Sequence, residues 1–471
     1  MEVHVQLTTA SKMFCGCSAD YASAPPNTLT CPVCLGLPGA LPVINRRAVE
    51  FAIMTGLALN CRVPHLTKWD RKNYPYPDLP KGYQISQYDM PVTRGGWLLV
   101  RSEGIERRVG IRRAHLEEDT GKLVHAGGRS YVDFNRSGVP LLEIVSEPDL
   151  RSAEEARQYL VQLRTILRYL GVSTGNMEEG AMRCEANISL RPVGTTGLPA
   201  TYVEVKNLNS FRAVKAALEY EIERQARVLD SGGQVERVTV GWDEARGVTV
   251  VQRTKEEAHD YRYFPEPDLP ALEVGRDWVE ELRERLPELP DARAERLSRQ
   301  YGLSAYDAAV LTEERELADY YEDAVATAGD AGRAKALANW ITGPLFRLMN
   351  LASVSIGEVK VRPGQLAELA DLVERGVVNL TTGRQVLQDM FERGVPASAI
   401  IREKGLAQIT DESRLEELAR EAVASNPRAV EDYRAGKTQA VKFLLGQVMR
   451  ATGGQASPQA VEEILRRILE Q

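Results

Sequence analysis

The chain has 471 residues, 43% of them hydrophobic and 27% charged, an ordinary globular composition that excludes a disordered or collagen-like polymer. At about 150 residues per domain the length suggests roughly three domains, and no run approaches the ~20 apolar residues needed to cross a bilayer. With 59 basic against 66 acidic residues the net charge is -7, so any nucleic acid would have to be held by shape and a local patch rather than by bulk charge.

Met1 to Phe14 alternate polar and apolar without an apolar h-region, so no secretory signal is expected and the cytoplasm is the expected location. Within that stretch Glu2-Val-His-Val-Gln-Leu7 alternates strictly, placing Glu2, His4 and Gln6 on one face of a strand and Val3, Val5 and Leu7 on the other. Cys184 to Leu190 and Thr201 to Lys206 alternate as well, with Glu185, Asn187 and Ser189 opposite Ala186, Ile188 and Leu190. Such strands suit an antiparallel sheet with one packed and one wet face. The wet faces are rich in carboxylates and amides, which fits either a solvated surface or a polar binding floor. Two helices interrupt the strands. Ser152 with Glu155 forms a capping box before an amphipathic run ending at Leu170-Gly171, and a second run starts at Ser210 and ends at Ser231-Gly-Gly233. The stripe Ala156, Leu160, Leu163 and Leu167 should cover the dry side of the sheet.

After the proline-rich segment Leu286-Pro-Glu-Leu-Pro290 the pattern turns helical, with helices expected over Ala292–Tyr301, Thr312–Ala328 and Ala331–Leu351. A further break stands at Gly394-Val-Pro396. Beyond it come short capped helices: one from near Asp411 to Asn426-Pro427, one ending at Gly436, one over Thr438–Ala451, and a last opened by Ser457-Pro458. The expected fold is α+β: a largely antiparallel sheet domain with packed helices over 1–287, an all-α domain over 288–396 and a small helical tail over 397–471.

Two cysteine pairs, Cys15-Gly-Cys17 and Cys31-Pro-Val-Cys34, flank a short loop. Four thiolates so spaced can converge tetrahedrally on zinc and leave no open position, so the site would be structural. The competing reading, a CxxC redox pair, lacks a thioredoxin-like βαβ context. Cys61 and Cys184 read as ordinary reduced cysteines. No phosphate loop is present: Gly436-Lys-Thr438 has Glu431 where the preceding glycine should be. ATP, if used, would have to be held through magnesium bound by carboxylates and imidazole. Three pieces offer such ligands: Glu2 with His4, the acidic string His115-Leu-Glu-Glu-Asp-Thr-Gly-Lys122, and Glu143 inside the apolar Pro140–Ser146 strand, where a lone acid is costly unless it meets a cation or donors. Spacing alone does not bring these pieces together.

Four more strings mix tyrosines, prolines and hydrogen-bonding side chains: Asp70-Arg-Lys-Asn-Tyr-Pro-Tyr-Pro-Asp78, Lys81-Gly-Tyr-Gln-Ile-Ser-Gln-Tyr88, Glu204-Val-Lys-Asn-Leu-Asn-Ser-Phe211 and Tyr261-Arg-Tyr-Phe-Pro-Glu-Pro-Asp268. Together with His115-Leu-Glu-Glu-Asp119 and Arg183-Cys-Glu-Ala-Asn-Ile188, they resemble the B subunits of the aspartyl/glutamyl-tRNA amidotransferases, and the resemblance spans the whole chain. It implies a cradle-like kinase domain, a helical domain and a tail that engages tRNA, with the amidase (glutaminase) subunit and the small third subunit of the same amidotransferase as partners. It also implies that Glu2, His4, Glu118 and Glu143 are the catalytic, magnesium-binding positions, with Lys81, Glu185, Asn187 and Lys206 as nucleotide-binding candidates. Family members carry a Gly-Leu pair and a few more residues ahead of the motif that starts here at Glu2, so the first strand is expected to be clipped or its start misassigned.

The implied reaction has a chemical logic. A carboxylic acid and ammonia form a salt at neutral pH, so the carboxylate oxygen must first become a leaving group, as an acyl phosphate made from ATP. Ammonia then displaces phosphate, turning Glu-tRNA or Asp-tRNA into Gln-tRNA or Asn-tRNA. Neither a Gly-Gly-Ser-Ser-Gly-like amidase signature nor a GxSxG elbow is expected here, so a separate glutaminase is implied. Between Ser425 and Arg450 five basic residues (Arg428, Arg434, Lys437, Lys442, Arg450) face Glu431 and Asp432. That excess suits phosphate contacts or a solvated helical face equally well. The alternative function is a non-catalytic, zinc-containing tRNA-binding adaptor of an amidase, which would need no magnesium site.

Overall fold

The computed structural model describes residues 1–254, 261–407, 412–435, 437–452 and 456–470. It divides into two units, Met1–Leu289 and Pro290–Gln471. The first unit runs β1 (Glu2–Gln6), α1 (Arg46–Ala58), β2 (Leu66–Thr67), β3 (Asp70–Asn73), β4 (Tyr83–Ser86), β5 (Thr93–Ser102), β6 (Ile105–Glu118), β7 (Lys122–Ala126), β8 (Arg129–Asp133), β9 (Pro140–Ser146), α2 (Ala153–Tyr169), β10 (Met182–Ile188), β11 (Val203–Leu208), α3 (Phe211–Asp230), β12 (Val238–Asp243), β13 (Val248–Thr254), β14 (Phe264–Pro265), β15 (Leu272–Glu273) and α4 (Arg276–Glu284).

Eight strands form one sheet in the order β13-β12-β11-β10-β1-β9-β6-β5. Every neighbouring pair is antiparallel except β11–β12. A parallel pair needs a crossover, and α3 supplies it. The first strand of the chain thus lies in the interior of the sheet, between β9 and β10. Its alternation is obeyed: Val3 and Val5 are fully buried, and they share one apolar cluster with Leu116, Leu142, Ile144, Met182 and Val205 of the neighbouring strands. Ala156, Leu160, Leu163 and Leu167 of α2 belong to the same cluster, as do Val214 and Ala217 of α3. Each buried aliphatic side chain of this kind contributes about 1.5–3 kcal/mol by leaving water, so the dry face anchors the register on which the wet face depends.

The helix caps follow the local chemistry. Ser152 Oγ accepts from Glu155 N at 3.1 Å, while Glu155 accepts from Arg151 N at 2.7 Å. Gly171 closes α2 in the left-handed region, at φ +65°. Ser210 Oγ accepts from Ala213 N at 3.1 Å to open α3.

The second unit contains α5 (Pro290–Tyr301), α6 (Ala305–Leu311), α7 (Arg315–Ala328), α8 (Ala334–Trp340), α9 (Phe346–Ala352), α10 (Pro363–Glu374), α11 (Leu380–Arg393), α12 (Ala397–Lys404), α13 (Glu412–Ala424), α14 (Pro427–Arg434), α15 (Ala440–Ala451) and α16 (Pro458–Leu469). The expected single helix over 331–351 is instead a 3-10 turn, α8, a π-helical segment Ile341–Leu345 and α9. Pro344 is the reason, because it has no N–H to give and its ring crowds the preceding turn. The helix expected from Thr312 starts at Arg315, since Thr312 closes α6 by returning its hydroxyl to Ala308 O at 2.8 Å. Pro427 opens α14, and Ser457 caps α16 ahead of Pro458. The starts and ends expected at Asp411 and Gly436 lie outside the described residues. Two apolar clusters occupy this unit, one from Leu297 to Ile401 that includes Ala397, Ile400 and Ile401 of α12, the other from Leu415 to Leu469. Among the described residues no helix is long and apolar enough to cross a membrane.

Candidate active site and metal centres

Antiparallel register carries the polar pieces to one place. His4 on β1 stands directly opposite Glu143 on β9, and Glu143 opposite His115 on β6. Directly paired residues point to the same side of a sheet, so this row projects from the wet face. Glu117 follows His115 by two residues and joins that side. The outcome is a tight group in which His4, Glu117 and Glu143 each offer a ligand atom within 4.8 Å of the others. His4 Nδ1 lies 3.1 Å from Glu117 Oε1, and His115 Nε2 lies 3.3 Å from Glu143 Oε2.

The electrostatics are those of packed opposite charges. Burial alone would push the His4 imidazole down, but the Glu117 hydrogen bond and the Glu143 charge outweigh it and raise the pKa to about 9. Burial likewise opposes ionisation of Glu117 and Glu143, yet the neighbouring histidines and Lys72 hold both carboxyls below their ordinary range. Lys72 comes from β3. Burial disfavours its charge, but Glu117 and Glu143 outweigh that and keep it protonated. Its Nζ sits 5.2 Å from the Tyr261 ring centroid, in an aromatic group where Tyr88 stacks on Tyr263 at 4.2 Å and Tyr261 meets Tyr74 and Tyr263 edge-on.

Three of the proline- and tyrosine-rich strings therefore meet. β14 pairs with β3, and β3 with β4. Arg71 clamps Glu266 in a two-pronged bond of 2.6 and 2.8 Å while lying 4.3 Å from the Tyr83 ring centroid.

Of the residues singled out in the sequence, His4 and Glu143 are brought together. Glu118 is not with them. Successive residues of a strand face opposite ways, so Glu118 turns from the cluster to Lys81 Nζ and the Ile85 N–H, the latter at 2.9 Å. Glu117, not Glu118, joins His4 and Glu143 in the group. Glu2 lies one row along, opposite Glu185, and accepts from Asn187 Nδ2 at 3.2 Å. Glu185 pairs with Lys206 at 2.8 Å. These four continue the polar floor beside the cluster, whereas Lys81 does not reach it. Sequence reasoning singled out the strings that hold Glu117, Asp119, Lys72 and the tyrosines but gave these residues no individual role; the Asp119 carboxylate takes Arg183 at 2.7 Å and Gln6 at 2.8 Å. The parity of His115 and Glu117 was the available signal for the first. For Lys72 and the tyrosines the signal was the tyrosine- and proline-rich make-up of their strings.

The second centre is the cysteine group. Cys15, Cys17, Cys31 and Cys34 place their sulfurs within 4.8 Å of one another. A zinc ion with Zn–S bonds of about 2.3 Å needs sulfurs about 3.8 Å apart, so the group fits with a small contraction. Its surroundings suit thiolates. Cys31 N donates to Cys34 Sγ at 3.1 Å, and the fully buried Lys12 puts its Nζ 3.7 Å from the same sulfur. Cys34 is held down at about 5, first by its hydrogen bond with Cys15 and then by these donors against the opposing effect of burial.

Gly171-Val-Ser-Thr-Gly175 matches the letters of a GxSxG nucleophile elbow. Ser173 is 4% exposed, follows a helix rather than a strand, and takes the Gly175 N–H at 3.2 Å, so it lacks the strand-to-helix setting that exposes such a serine.

The sequence matches the family described as GatB/GatE catalytic domain over residues 1–280 and the GatB domain over 319–469. It is 56% identical to the aspartyl/glutamyl-tRNA(Asn/Gln) amidotransferase B subunit of Moorella thermoacetica over 473 residues, covering 100% of this chain and 98% of that one. The protein of the same name from Thermomicrobium roseum is 56% identical over 476 residues, with the same coverage. That from Roseiflexus sp. is 53% identical over 473 residues, covering 100% of this chain and 97% of the relative. Full-length matches of this strength, with the polar cluster set on the wet face of the part matching the catalytic domain, place the chain in the family of aspartyl/glutamyl-tRNA(Asn/Gln) amidotransferase B subunits.

Proposed function

We propose that this chain activates the side-chain carboxylate of Glu-tRNA(Gln) or Asp-tRNA(Asn) with ATP and directs ammonia onto it, yielding Gln-tRNA(Gln) or Asn-tRNA(Asn). In this reading it works in the cytoplasm, in a heterotrimer with an amidase subunit and a small third subunit. The observation that carries the proposal is the His4–Glu117–Glu143 group with Lys72 above it. Two carboxylates and one imidazole, buried and within one coordination sphere's reach, are a donor set for a hard divalent cation, which an RNA-binding adaptor would not need. Such a cation neutralises charge on the transferring phosphoryl group.

The residues divide the remaining work. His4, Glu117 and Glu143 would hold the magnesium. Lys72, already positive and without an ion-pair partner among the described residues, would face the migrating phosphoryl oxygens. Glu2, Glu185, Asn187 and Lys206 would bind the polar parts of the substrates, and the tyrosines would wall the site against water. Glu118 would hold Lys81 for the nucleotide rather than bind the metal. The domains would be the cradle at 1–287, a helical domain at 288–396 and a tRNA-engaging tail at 397–471.

The direct test combines the purified chain with ATP, magnesium, Glu-tRNA and ammonium salts. Gln-tRNA should form without any glutaminase partner; ammonium-independent ATP turnover with no amidated product would refute the reading.

Two further outcomes are expected. Protein purified without chelator should carry about one zinc per chain, and Cys31→Ser with Cys34→Ser should lose it and melt at a lower temperature. Metal retained by that double variant would place the zinc elsewhere. The second concerns pH. His4 must give up its proton to bind a metal, and in the metal-free protein that proton leaves only near pH 9. Magnesium affinity, measured calorimetrically, should therefore climb from about pH 7 to about pH 9 by up to about tenfold per unit and then level. A flat profile would remove His4 from the ligand set.

A further inference from the structure

The row of paired residues that carries the metal donors continues one strand further. Arg183 on β10 stands directly opposite His4 on β1, as Glu143 does from β9 on the other side. Directly paired residues point to the same side of a sheet. The guanidinium therefore rises from the wet face about one strand spacing, ~5 Å, from the imidazole strand. Neither the metal donor set nor Lys72 makes use of it.

Arg183 is held on one side and open on another. Its Nη2 donates to Asp119 Oδ2 at 2.7 Å. Asp119, buried just past the end of β6, also takes Gln6 Nε2 at 2.8 Å, and the same nitrogen donates to Tyr21 Oη at 3.0 Å. Tyr21 lies between the two cysteine pairs, so the loop they close buttresses this corner. Arg136 approaches Asp119 as well, at 3.8 Å. Two guanidiniums thus share one carboxylate and leave positive charge in excess. The Glu117 charge reaches Arg183 too, but that carboxylate is engaged and neutralised by His4. Nε of Arg183 is buried with no hydrogen-bond partner among the described residues, while 39% of the side chain stays exposed. A buried donor left unpaired is costly, and a ligand that draws the fork onto itself would relieve it.

We propose that Arg183 anchors the side-chain carboxylate of the aminoacyl group, the acid to be activated, beside the His4–Glu117–Glu143 group. A planar fork matches a planar carboxylate, and its bonds to a charged acceptor are the strong ones. Lys72 supplies a separate cation for phosphoryl oxygens. The amide product has no charge and turns an NH2 group toward a guanidinium that carries only donors. The same residue therefore selects the substrate and lets the product go. The inference rests on the reading that an aminoacyl carboxylate is the substrate, and names the residue that recognises it.

The test measures the affinity of the full complex for Glu-tRNA and for Gln-tRNA, with magnesium present and ATP absent. The parent should hold Glu-tRNA about tenfold more tightly than Gln-tRNA. Arg183→Gln should bring the two to near equality by weakening Glu-tRNA alone. In turnover the same variant should raise KM for Glu-tRNA about tenfold while KM for ATP and magnesium affinity stay within about twofold, a split that a general structural defect would not give. Arg183→Lys keeps the charge without the fork and should recover part of the preference. A parent without preference, or a preference retained in Arg183→Gln, would overturn the anchor and leave the functional reading standing. Weakened ATP binding with the preference intact would give Arg183 to the phosphates and equally overturn it. A parent complex that forms no Gln-tRNA from Glu-tRNA, ATP and ammonium would overturn the functional reading and this inference together. If the glutamine variant does not fold, the lysine variant carries the test: an undiminished preference there refutes recognition by the fork.

Discussion

Glu117→Gln should lower ATP-dependent formation of amidated tRNA by on the order of a hundred- to a thousandfold while leaving Glu-tRNA affinity near that of the parent. The substitution keeps shape and one carbonyl oxygen but removes the charge that both the His4 imidazole and the proposed cation require. The neighbouring change, Glu118→Gln, separates register from resemblance. Glu118 is buried against Lys81 and the Ile85 amide, so its loss should leave magnesium affinity within about threefold and instead weaken nucleotide binding as Lys81 loses its counter-charge. Manganese binding followed by electron paramagnetic resonance reads both variants without depending on turnover. Loss of metal in Glu118→Gln with retention in Glu117→Gln would reverse the assignment made from the strand parity.

Glu266→Ala should cost the first unit about 3 kcal/mol and lower its melting midpoint by roughly 5–10 °C. Glu266 is 2% exposed, and its two oxygens take Arg71 at 2.6 and 2.8 Å. Truncation leaves the mostly buried guanidinium with only its long 3.5 Å contact to Asp268. The effect should reach the site, because this bond ties the Tyr261–Asp268 string to β3, which carries Lys72. Glu266→Gln keeps one acceptor and should recover about half the loss. A melting curve unchanged in the alanine variant would show that the β14–β3 pairing, not the ion pair, holds the string in place.

Some of this molecule is written locally. The alternation of Glu2 to Leu7, the Ser152–Glu155 box, the Ser210 and Ser457 caps, Gly171 as a helix stop and the cysteine spacing are short-range patterns. Neighbouring residues decide them, through hydrogen bonds to exposed helix amides or through the two-residue period of a strand. The interruption at Pro344 also had its local cause in plain view, although apolar periodicity ran through it and concealed the change of pitch.

The polar group was not decided locally. His4, Glu117 and Glu143 are scattered over the first part of the chain, and nothing in their spacing says that β1 inserts between β9 and β10. Long-range pairing alone settles which residues share a row, and a slip of one residue would send every ligand to the dry side. The choice between Glu117 and Glu118 turns on this: both are acidic, adjacent and equally suited by chemistry, and only the register against β9 tells which faces the histidine. The same holds for Lys72 and the tyrosines, whose strings are separated by most of the first unit and join through the β14–β3–β4 sheet. By itself the sequence determined the ligand types, the caps and the wet and dry faces, because those depend on side-chain chemistry and local period. Tertiary structure decided which carboxylate meets which imidazole, because that depends on burial of the apolar face, a cooperative property of strands distant in the chain.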